Sequence, residues 1–358
     1  MRTVAGMIGL THPHSAGHLR TLDALEEVEG VVLYDPDPAA RDAGPGLCRK
    51  TRAVCDDLPA LLGRSDVSVV VIALPTDRTP DAIAECARAG KHVICEKPCA
   101  RSAGELRPAL DALARHRVGF TVCYVWRAHP AVARMRELVR AGAVGRLTSA
   151  ELRMVTSQVQ FRDPAHWLFK RDVAGGGVLS WLGCHWLDAL RYVTGEEVRA
   201  ASAIVGTLSG EPIDVEDVAS VNLRLSGGAL VNLYAGYLLP FGPSGYEGAV
   251  FDLSMIFRGA AGTLQYGRSG DEHLVTLRSA APGGRTASQR VDRYVLPPVP
   301  AYGGAPGLRF IEMFLQSVRD GGAGPASAVD ALRVLEILDA IYFSARTGRG
   351  ADLAAASD

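Results

Sequence analysis

The first 124 residues alternate strand-like and helix-like hydrophobic patterns, and this alternation restricts the fold more than any other feature of the chain. Five short, β-branched-rich runs have the character of strands buried in a parallel sheet: V-A-G-M-I-G-L (4–10), G-V-V-L-Y-D (30–35), V-S-V-V-V-I-A-L (67–74), K-H-V-I-C-E (91–96) and V-G-F-T-V-C-Y (118–124). Helical patterns lie between them; T-P-D-A-I-A-E-C-A-R-A-G (79–90) carries Pro80 at its start and Gly90 at its stop. Such a succession predicts a doubly wound α/β sheet. Ligands of these sheets bind beyond the carboxyl ends of the strands, so the tips at Gly9, Asp35, Pro75 and Glu96 are expected to line one crevice.

Beyond residue 124 the pattern changes. A helical stretch (129–142) leads into a strand (147–160), a glycine-rich break at Gly175 to Gly177 and a helix running to about Val193. Strand-like runs follow at 198–207, 218–225, 229–236, 250–257, 262–266, 273–278 and 291–296, and two helices (307–320 and 328–346) close the chain. Strands in succession with Gly/Pro/Ser turns predict an open, mostly antiparallel sheet in an α+β domain. At 358 residues the chain exceeds what one core supports, so two domains are expected, 1–124 and 125–358. V-N-L-R-L (221–225) and L-V-N-L-Y (230–234) alternate apolar and polar residues. We expect the sheet face without helices to carry the apolar set and to invite a homo-dimer or homo-tetramer. Y-L-L-P-F-G-P-S-G-Y-E-G (237–248) is a candidate lid, and P-P-V-P-A-Y-G-G-A-P-G (297–307) is the most loop-like segment.

A net charge of −1 and the lack of a basic block argue against nucleic acid and anionic membrane as partners. No run of about 18 apolar residues occurs, and the N-terminal apolar run is too short for a signal peptide, so a cytoplasmic location is expected. The seven cysteines form no C-x-x-C pair and no zinc spacing, which predicts reduced thiols and no metal.

A phosphate-binding turn wants G-x-G-x-x-G between strand and helix, because glycines permit the tight turn and close approach to pyrophosphate. This chain has G-L-T-H-P-H-S-A-G-H (9–18): Gly9 is in place, Thr11 and His14 stand where the next glycines belong, and Gly17 comes late. Gly9, Thr11, His12 and His14 are therefore candidate cofactor contacts, with an ordinary strand-to-helix turn as the rival. Asp35, 26 positions after Gly9, stands near where a carboxylate accepts from the adenosine ribose and repels a 2′-phosphate; the alternative is a turn aspartate in D-P-D-P. No arginine directly follows it, which favours NAD over NADP. Lysine is scarce, at Lys50, Lys91, Lys97 and Lys170 only, in a chain otherwise supplied with arginine. Lys97 follows a buried-looking strand. Burial can lower a lysine's pKa far enough for proton exchange and cannot do so for arginine, so Lys97 is either an acid–base group or a surface lysine.

A-G-K-H-V-I-C-E-K-P (89–98), with V-V-V-I-A-L-P-T before it and G-G-G-V-L-S-W-L-G-C-H-W-L-D (175–188) after it, resembles the glucose-fructose oxidoreductase/inositol dehydrogenase (Gfo/Idh/MocA) family nearly end to end. The resemblance implies an N-terminal Rossmann domain, an open-faced sheet domain that takes the substrate, a tightly held NAD(P), and oxidation or reduction at a carbinol of a sugar or cyclitol. It gives Lys97 the catalytic role near the reacting oxygen and puts Glu96 on the cofactor side. The family's D-x-G-x-H is here Trp181 to His185, so His185 is kept as a second catalytic candidate and the carboxylate four residues before it is absent. On a helix Trp181, His185 and Asp188 would share a face. Asp188 can orient His185, another group can, or Lys97 carries the proton alone; His185 and Trp181 also read as core residues. As a functional residue, Trp181 is a flat platform for a ring-shaped substrate. The family's T-P-N-x-x-H has become Leu74-Pro75-Thr76-Asp77-Arg78-Thr79, with Leu74, Pro75 and Thr76 as cofactor candidates. Arg127, Trp167, Lys170 and Arg171 fall in segments that line the cleft in relatives. The expected activity is NAD-dependent sugar or polyol oxidoreduction; the alternatives are a redox-neutral, NAD-assisted conversion and a non-catalytic relative.

Overall fold

The computed structural model describes residues 3–243, 245, 250–280 and 286–354. Its elements run β1 (Thr3–Ile8), α1 (Ser15–Ala24), β2 (Val28–Tyr34), α2 (Pro38–Ala43), β3 (Thr51–Val54), α3 (Leu58–Leu62), β4 (Val67–Ile72), α4 (Thr79–Arg88), β5 (His92–Cys95), α5 (Ala103–His116) and β6 (Phe120–Val122). There follow α6 (Pro130–Arg140), β7 (Leu147–Ser157), α7 (Arg171–Ala174), a π-helical turn (Leu179–Gly183), α8 (Cys184–Thr194), β8 (Val198–Gly206), β9 (Val218–Leu225) and β10 (Leu230–Leu239). The chain continues through β11 (Asp252–Gly259), β12 (Gly262–Ser269), β13 (Glu272–Ala280), β14 (Ala287–Val295), α9 (Gly304–Asp320), α10 (Ala328–Thr347) and β15 (Ala351–Asp352).

Two compact units result, one of Met1–Ala128 with Pro297–Arg333, the other of His129–Leu296 with Val334–Asp358. This division differs from a single boundary after residue 124: 125–128 and 297–333 belong with the first unit. Hydrogen bonds explain why. Tyr302 N donates to Thr21 Oγ1 at 2.9 Å and to Gly17 O at 3.1 Å, Thr121 Oγ1 donates to Ala326 O at 2.9 Å, and Arg127 pairs with Asp330 at 2.8 Å.

The first unit is the doubly wound sheet, all parallel, in the order β3-β2-β1-β4-β5-β6. Val31, Val32, Val70, Ile72, Val93 and Ile94 are wholly buried, as the β-branched runs require. Burying each such side chain contributes about 1.5–3 kcal/mol before chain entropy is counted. The edge strand β3, T-R-A-V, was not foreseen, because its four residues, three half-buried and Arg52 exposed, lack an apolar run. K-H-V-I-C-E is accordingly the fifth strand rather than the fourth.

Among the described residues the second unit is a nine-stranded mixed sheet, β14-β13-β12-β11-β7-β10-β9-β8-β15, in which only the β7–β10 pair is parallel. Its alternation contradicts one expectation. Val221, Leu223, Leu225, Val231 and Leu233 are buried within the unit, whereas Asn222 and Arg224 are exposed. The apolar set makes core, and the opposite face carries ion pairs such as Arg153–Asp252 and Arg258–Glu151. On that opposite face the 230–234 segment exposes Leu230 and Tyr234. Part of the 237–248 segment, residues 244 and 246–248, lies outside the described residues.

Two buried histidines in this unit make its stability pH-dependent. His129 caps α6 by accepting from Ala131 N at 3.2 Å, its ring stands 4.4 Å from that of His273, and His273 Nδ1 shares a hydrogen bond with Tyr266 Oη at 2.9 Å. Burial first, then the His273 and Arg268 charges, push His129 down to about 3; burial and Arg268 push His273 down to about 4. An unfolded histidine takes up a proton near pH 6.5, as the fold does not. The unfolded chain thus binds more protons below that pH, and stability falls as pH drops from about 6.5 towards 4, by up to about 1.4 kcal/mol per pH unit for each histidine. Urea unfolding is expected to show a lower midpoint at pH 5 than at pH 7, and His273→Phe should narrow the gap. Equal wild-type midpoints would contradict neutral burial.

Candidate functional site

In the first unit the chemistry gathers at the carboxyl ends of β1, β2, β4 and β5. Gly9 leaves β1 with φ +94°, and a Cβ there would lie 2.0 Å from the carbonyl oxygen of Ala73 at the tip of β4. Two strands can converge this closely only at glycine. Ser15 Oγ donates to Gly9 O at 2.8 Å, tying the turn to the N-terminus of α1. Asp35, buried at the end of β2, accepts from Leu10 N at 2.5 Å, Thr11 N at 3.3 Å and Asp37 N at 2.8 Å. Its carboxylate therefore braces the turn, and Arg41 Nη1 donates to its carbonyl at 2.8 Å. Leu74 and Thr76 are buried, and Thr79 Oγ1 holds the segment by donating to Pro75 O at 3.1 Å.

The surface-lysine reading of Lys97 is excluded: the residue is 1% exposed and Glu96 3%. Glu96 anchors a cluster that motif reading missed. His18 Nε2 lies 2.5 Å from its Oε1, His14 Nδ1 3.3 Å from its Oε2, and Lys97 N donates to Oε2 at 3.0 Å. Burial opposes charge on Glu96, yet the His14 charge and the bonds from His14 and His18 hold it well below the usual carboxylate range. Burial lowers His12 and His14 despite the carboxylate, with the His14 charge adding to it at His12 and the Lys97 charge at both. The Tyr302 ring packs 4.7 Å from that of His14 and 4.4 Å from that of His18. Nothing in the sequence marked Tyr302, some 280 residues from its partners. A signal for the histidines did exist in the spacing H-x-H-x-x-x-H.

His12, His14 and Glu96 offer three donor atoms within 4.8 Å, as do His18, Glu96 and Cys123. Their hydrogen bonding uses these atoms otherwise. His12 Nδ1 accepts the His14 amide at 3.1 Å, which puts the proton of the neutral ring on Nε2, and Glu96 Oε1 accepts from His18 Nε2 at 2.5 Å while its Oε2 faces His14 Nδ1 at 3.3 Å.

In the second unit, Trp181 stands in the π-helical turn and His185 and Asp188 on α8. The π turn alters the expected register, since Trp181 and His185 are not joined by regular α-helix. The Trp167 and Trp181 rings meet edge to face, 6.1 Å apart at 87°. Trp181 is 7% exposed, and His185 and Asp188 are fully buried. Arg127 lies in the first unit, its guanidinium on Asp330 and Pro325 O. Arg171 donates to Asp214 O at 2.7 Å, and Lys170 is exposed.

A sheet in the order 3-2-1-4-5-6, a glycine-dependent first turn and an acidic residue ending the second strand together define a dinucleotide-binding unit. The chain belongs to the Gfo/Idh/MocA oxidoreductase family. Residues 4–124 match its "Oxidoreductase family, NAD-binding Rossmann fold" model and residues 132–265 its C-terminal domain model, together more than two thirds of the chain. The protein is similar to levoglucosan dehydrogenase of Pseudarthrobacter phenanthrenivorans, 28% identical over 81% of this chain and 80% of that one. It is also similar to inositol 2-dehydrogenase of Rhizobium meliloti, 25% identical over 98% and 97%. A solved levoglucosan dehydrogenase in complex with NADH and L-sorbose superposes with a TM-score of 0.83 at 25% identity, over 98% of this chain and 99% of that one. Among the described residues no helix is long and apolar enough to cross a membrane.

Proposed function

We propose that the protein is an NAD-dependent dehydrogenase acting on a hydroxyl, or the matching carbonyl, of a ring-shaped sugar or cyclitol, with Lys97 exchanging the proton. The observation that carries this reading is the buried Lys97 at the tip of β5, directly after a carboxylate already engaged by His14 and His18. An ammonium can give up its proton and a guanidinium cannot. The relatives' names, levoglucosan and inositol dehydrogenase, support a cyclic polyol. So does the aromatic corner of Trp167 and Trp181, whose faces suit the C–H side of a pyranose or cyclitol ring.

NAD, when bound, supplies the acceptor for the hydride that leaves the carbinol carbon. Lys97 takes the hydroxyl proton as that carbon–hydrogen bond breaks, so two electrons and one proton leave as hydride and a second proton stays on the protein. Gly9, Thr11, His12 and His14 are assigned to the pyrophosphate turn, Asp35 to the adenosine ribose, Leu74, Pro75 and Thr76 to the β4 tip beside the cofactor, and Glu96 to its nicotinamide end. His185, Asp188 and the two tryptophans are assigned to the substrate. The reading is tested by titrating a panel of cyclic sugars and cyclitols against protein plus NAD and following reduced-nicotinamide absorbance; turnover is expected on at least one, and silence across the panel would count against it.

Cofactor choice gives a separate prediction. With a buried carboxylate ending β2, NAD is expected to bind at least about tenfold tighter than NADP, roughly 1.4 kcal/mol. Calorimetric titration checks this. Equal affinities would remove the discrimination from Asp35 and leave Arg41, which grips its carbonyl, free to meet a 2′-phosphate.

A further inference from the structure

The triple glycine that precedes the π turn has an unexpected cause. Glu216, in the segment before β9 and 2% exposed, places its carboxylate against the start of the helical segment: Oε2 accepts from Gly177 N at 2.9 Å and Oε1 from Leu179 N at 3.1 Å. Its carbonyl accepts from Val178 N at 3.0 Å. Tyr342, from α10, donates to Glu216 Oε1 at 2.9 Å and shares a hydrogen bond with Ser180 Oγ at 2.8 Å. The packing leaves no space for side chains: a Cβ at Gly176 would lie 1.9 Å from Tyr342 Oη, and one at Gly177 1.9 Å from Glu216 O. Three of the amides that a helix start leaves unbonded are thus satisfied by one distant residue, and the negative charge meets the positive end of the peptide dipoles.

A π turn is intrinsically less favourable than α-helix and persists where surrounding groups hold it. This one carries Trp181 and runs directly into α8 with His185. We infer that Glu216 is a positioning residue, which with Tyr342 clamps the π turn in the register that sets Trp181 and His185 for the reaction. Burial raises the Glu216 pKa against the bonds from Gly177 and Leu179, and that of Tyr342 rises well above the usual phenol range. The hydroxyl of Tyr342 is therefore a donor throughout the physiological range, as the clamp requires. The inference rests on the dehydrogenase reading for its effect on turnover, but not for its effect on the turn.

Glu216→Gln keeps the shape and turns one acceptor into a donor facing an amide; Tyr342→Phe removes one hydroxyl and opens no cavity. Two measurements are made on the full-length protein with NAD bound. Amide hydrogen exchange read by mass spectrometry is expected to rise across 177–185 in both variants and to stay unchanged across 9–18 and 92–97. With a sugar or cyclitol that the wild type turns over, kcat is expected to fall about 10–10²-fold, the size of effect expected from a small misplacement, while NAD affinity is unchanged and KM changes far less than kcat. Tyr266→Phe, which breaks a buried hydrogen bond elsewhere in the same unit, controls for lost stability and should leave kcat alone. Unchanged exchange across 177–185 overturns the clamp. Faster exchange with unchanged kcat overturns the positioning role. If the wild type turns over nothing, the dehydrogenase reading fails, and the exchange data still decide whether Glu216 holds the turn. Should Glu216→Gln fail to fold, Tyr342→Phe answers both questions.

Discussion

Lys97→Met is expected to bind NAD as the wild type does and to lose about 10²–10⁴-fold in the rate of the chemical step, the range for removing a general acid–base group. The methionine is close to lysine in length, so the buried space stays filled, and the backbone amide of residue 97 still donates to the Glu96 carboxylate. Lys97→Arg should be nearly as damaging. Its charge survives, but its proton cannot be released near neutral pH. Calorimetry of NAD together with stopped-flow reduction of bound cofactor separates the two effects. An unchanged rate in Lys97→Met would leave the lysine with a structural role only.

Gly9→Ala is expected to lose the cofactor site along with much of the stability. Two costs combine: φ of +94° is strained for any L-residue, by about 1–2 kcal/mol, and the new Cβ would overlap the Ala73 carbonyl at 2.0 Å. Backbone cannot yield as a flexible side-chain tip can, so a total of about 3 kcal/mol or more is expected. NAD affinity should fall with it, since the turn and the β4 tip must separate. Gly90→Ala is the matched control. Its φ is +71° and a Cβ would meet nothing within 4 Å, so about 1 kcal/mol of strain alone is expected, with NAD binding intact. Equal destabilisation by the two would show that the Ala73 contact has no weight.

Local pattern made the first sheet legible. Val67 to Ile72 and His92 to Cys95 are short β-branched runs followed by helical periods, and each became a parallel strand in the place expected. β3 escaped because a four-residue, half-exposed edge strand carries no hydrophobic period. V-N-L-R-L shows the limit of pattern in another way: its alternation identified a strand but not which face meets the core, and the apolar side proved to be the buried one. Lys97 could be singled out by its residue type in an arginine-rich chain. Its neighbours could not, because the histidine turn and Tyr302 meet only once 297–333 has folded back onto the first unit. Glu216 was invisible for the same reason. The triple glycine was plain in the sequence, whereas the residues that require it stand about 40 and 165 positions further on. Contacts of that range have no signature in local spacing.

The central claim, that the chain moves a hydride from a carbinol carbon to NAD, is tested most directly with isotope. Cyclic sugars and cyclitols deuterated at the carbinol carbons are incubated with the wild type and NAD, and the cofactor is recovered for mass spectrometry. The account predicts reduced cofactor one mass unit heavier than that formed from the unlabelled substrate, with none formed at a comparable rate by Lys97→Met. Reduced cofactor without deuterium, or none from any substrate in a protein that binds NAD by calorimetry, would contradict it.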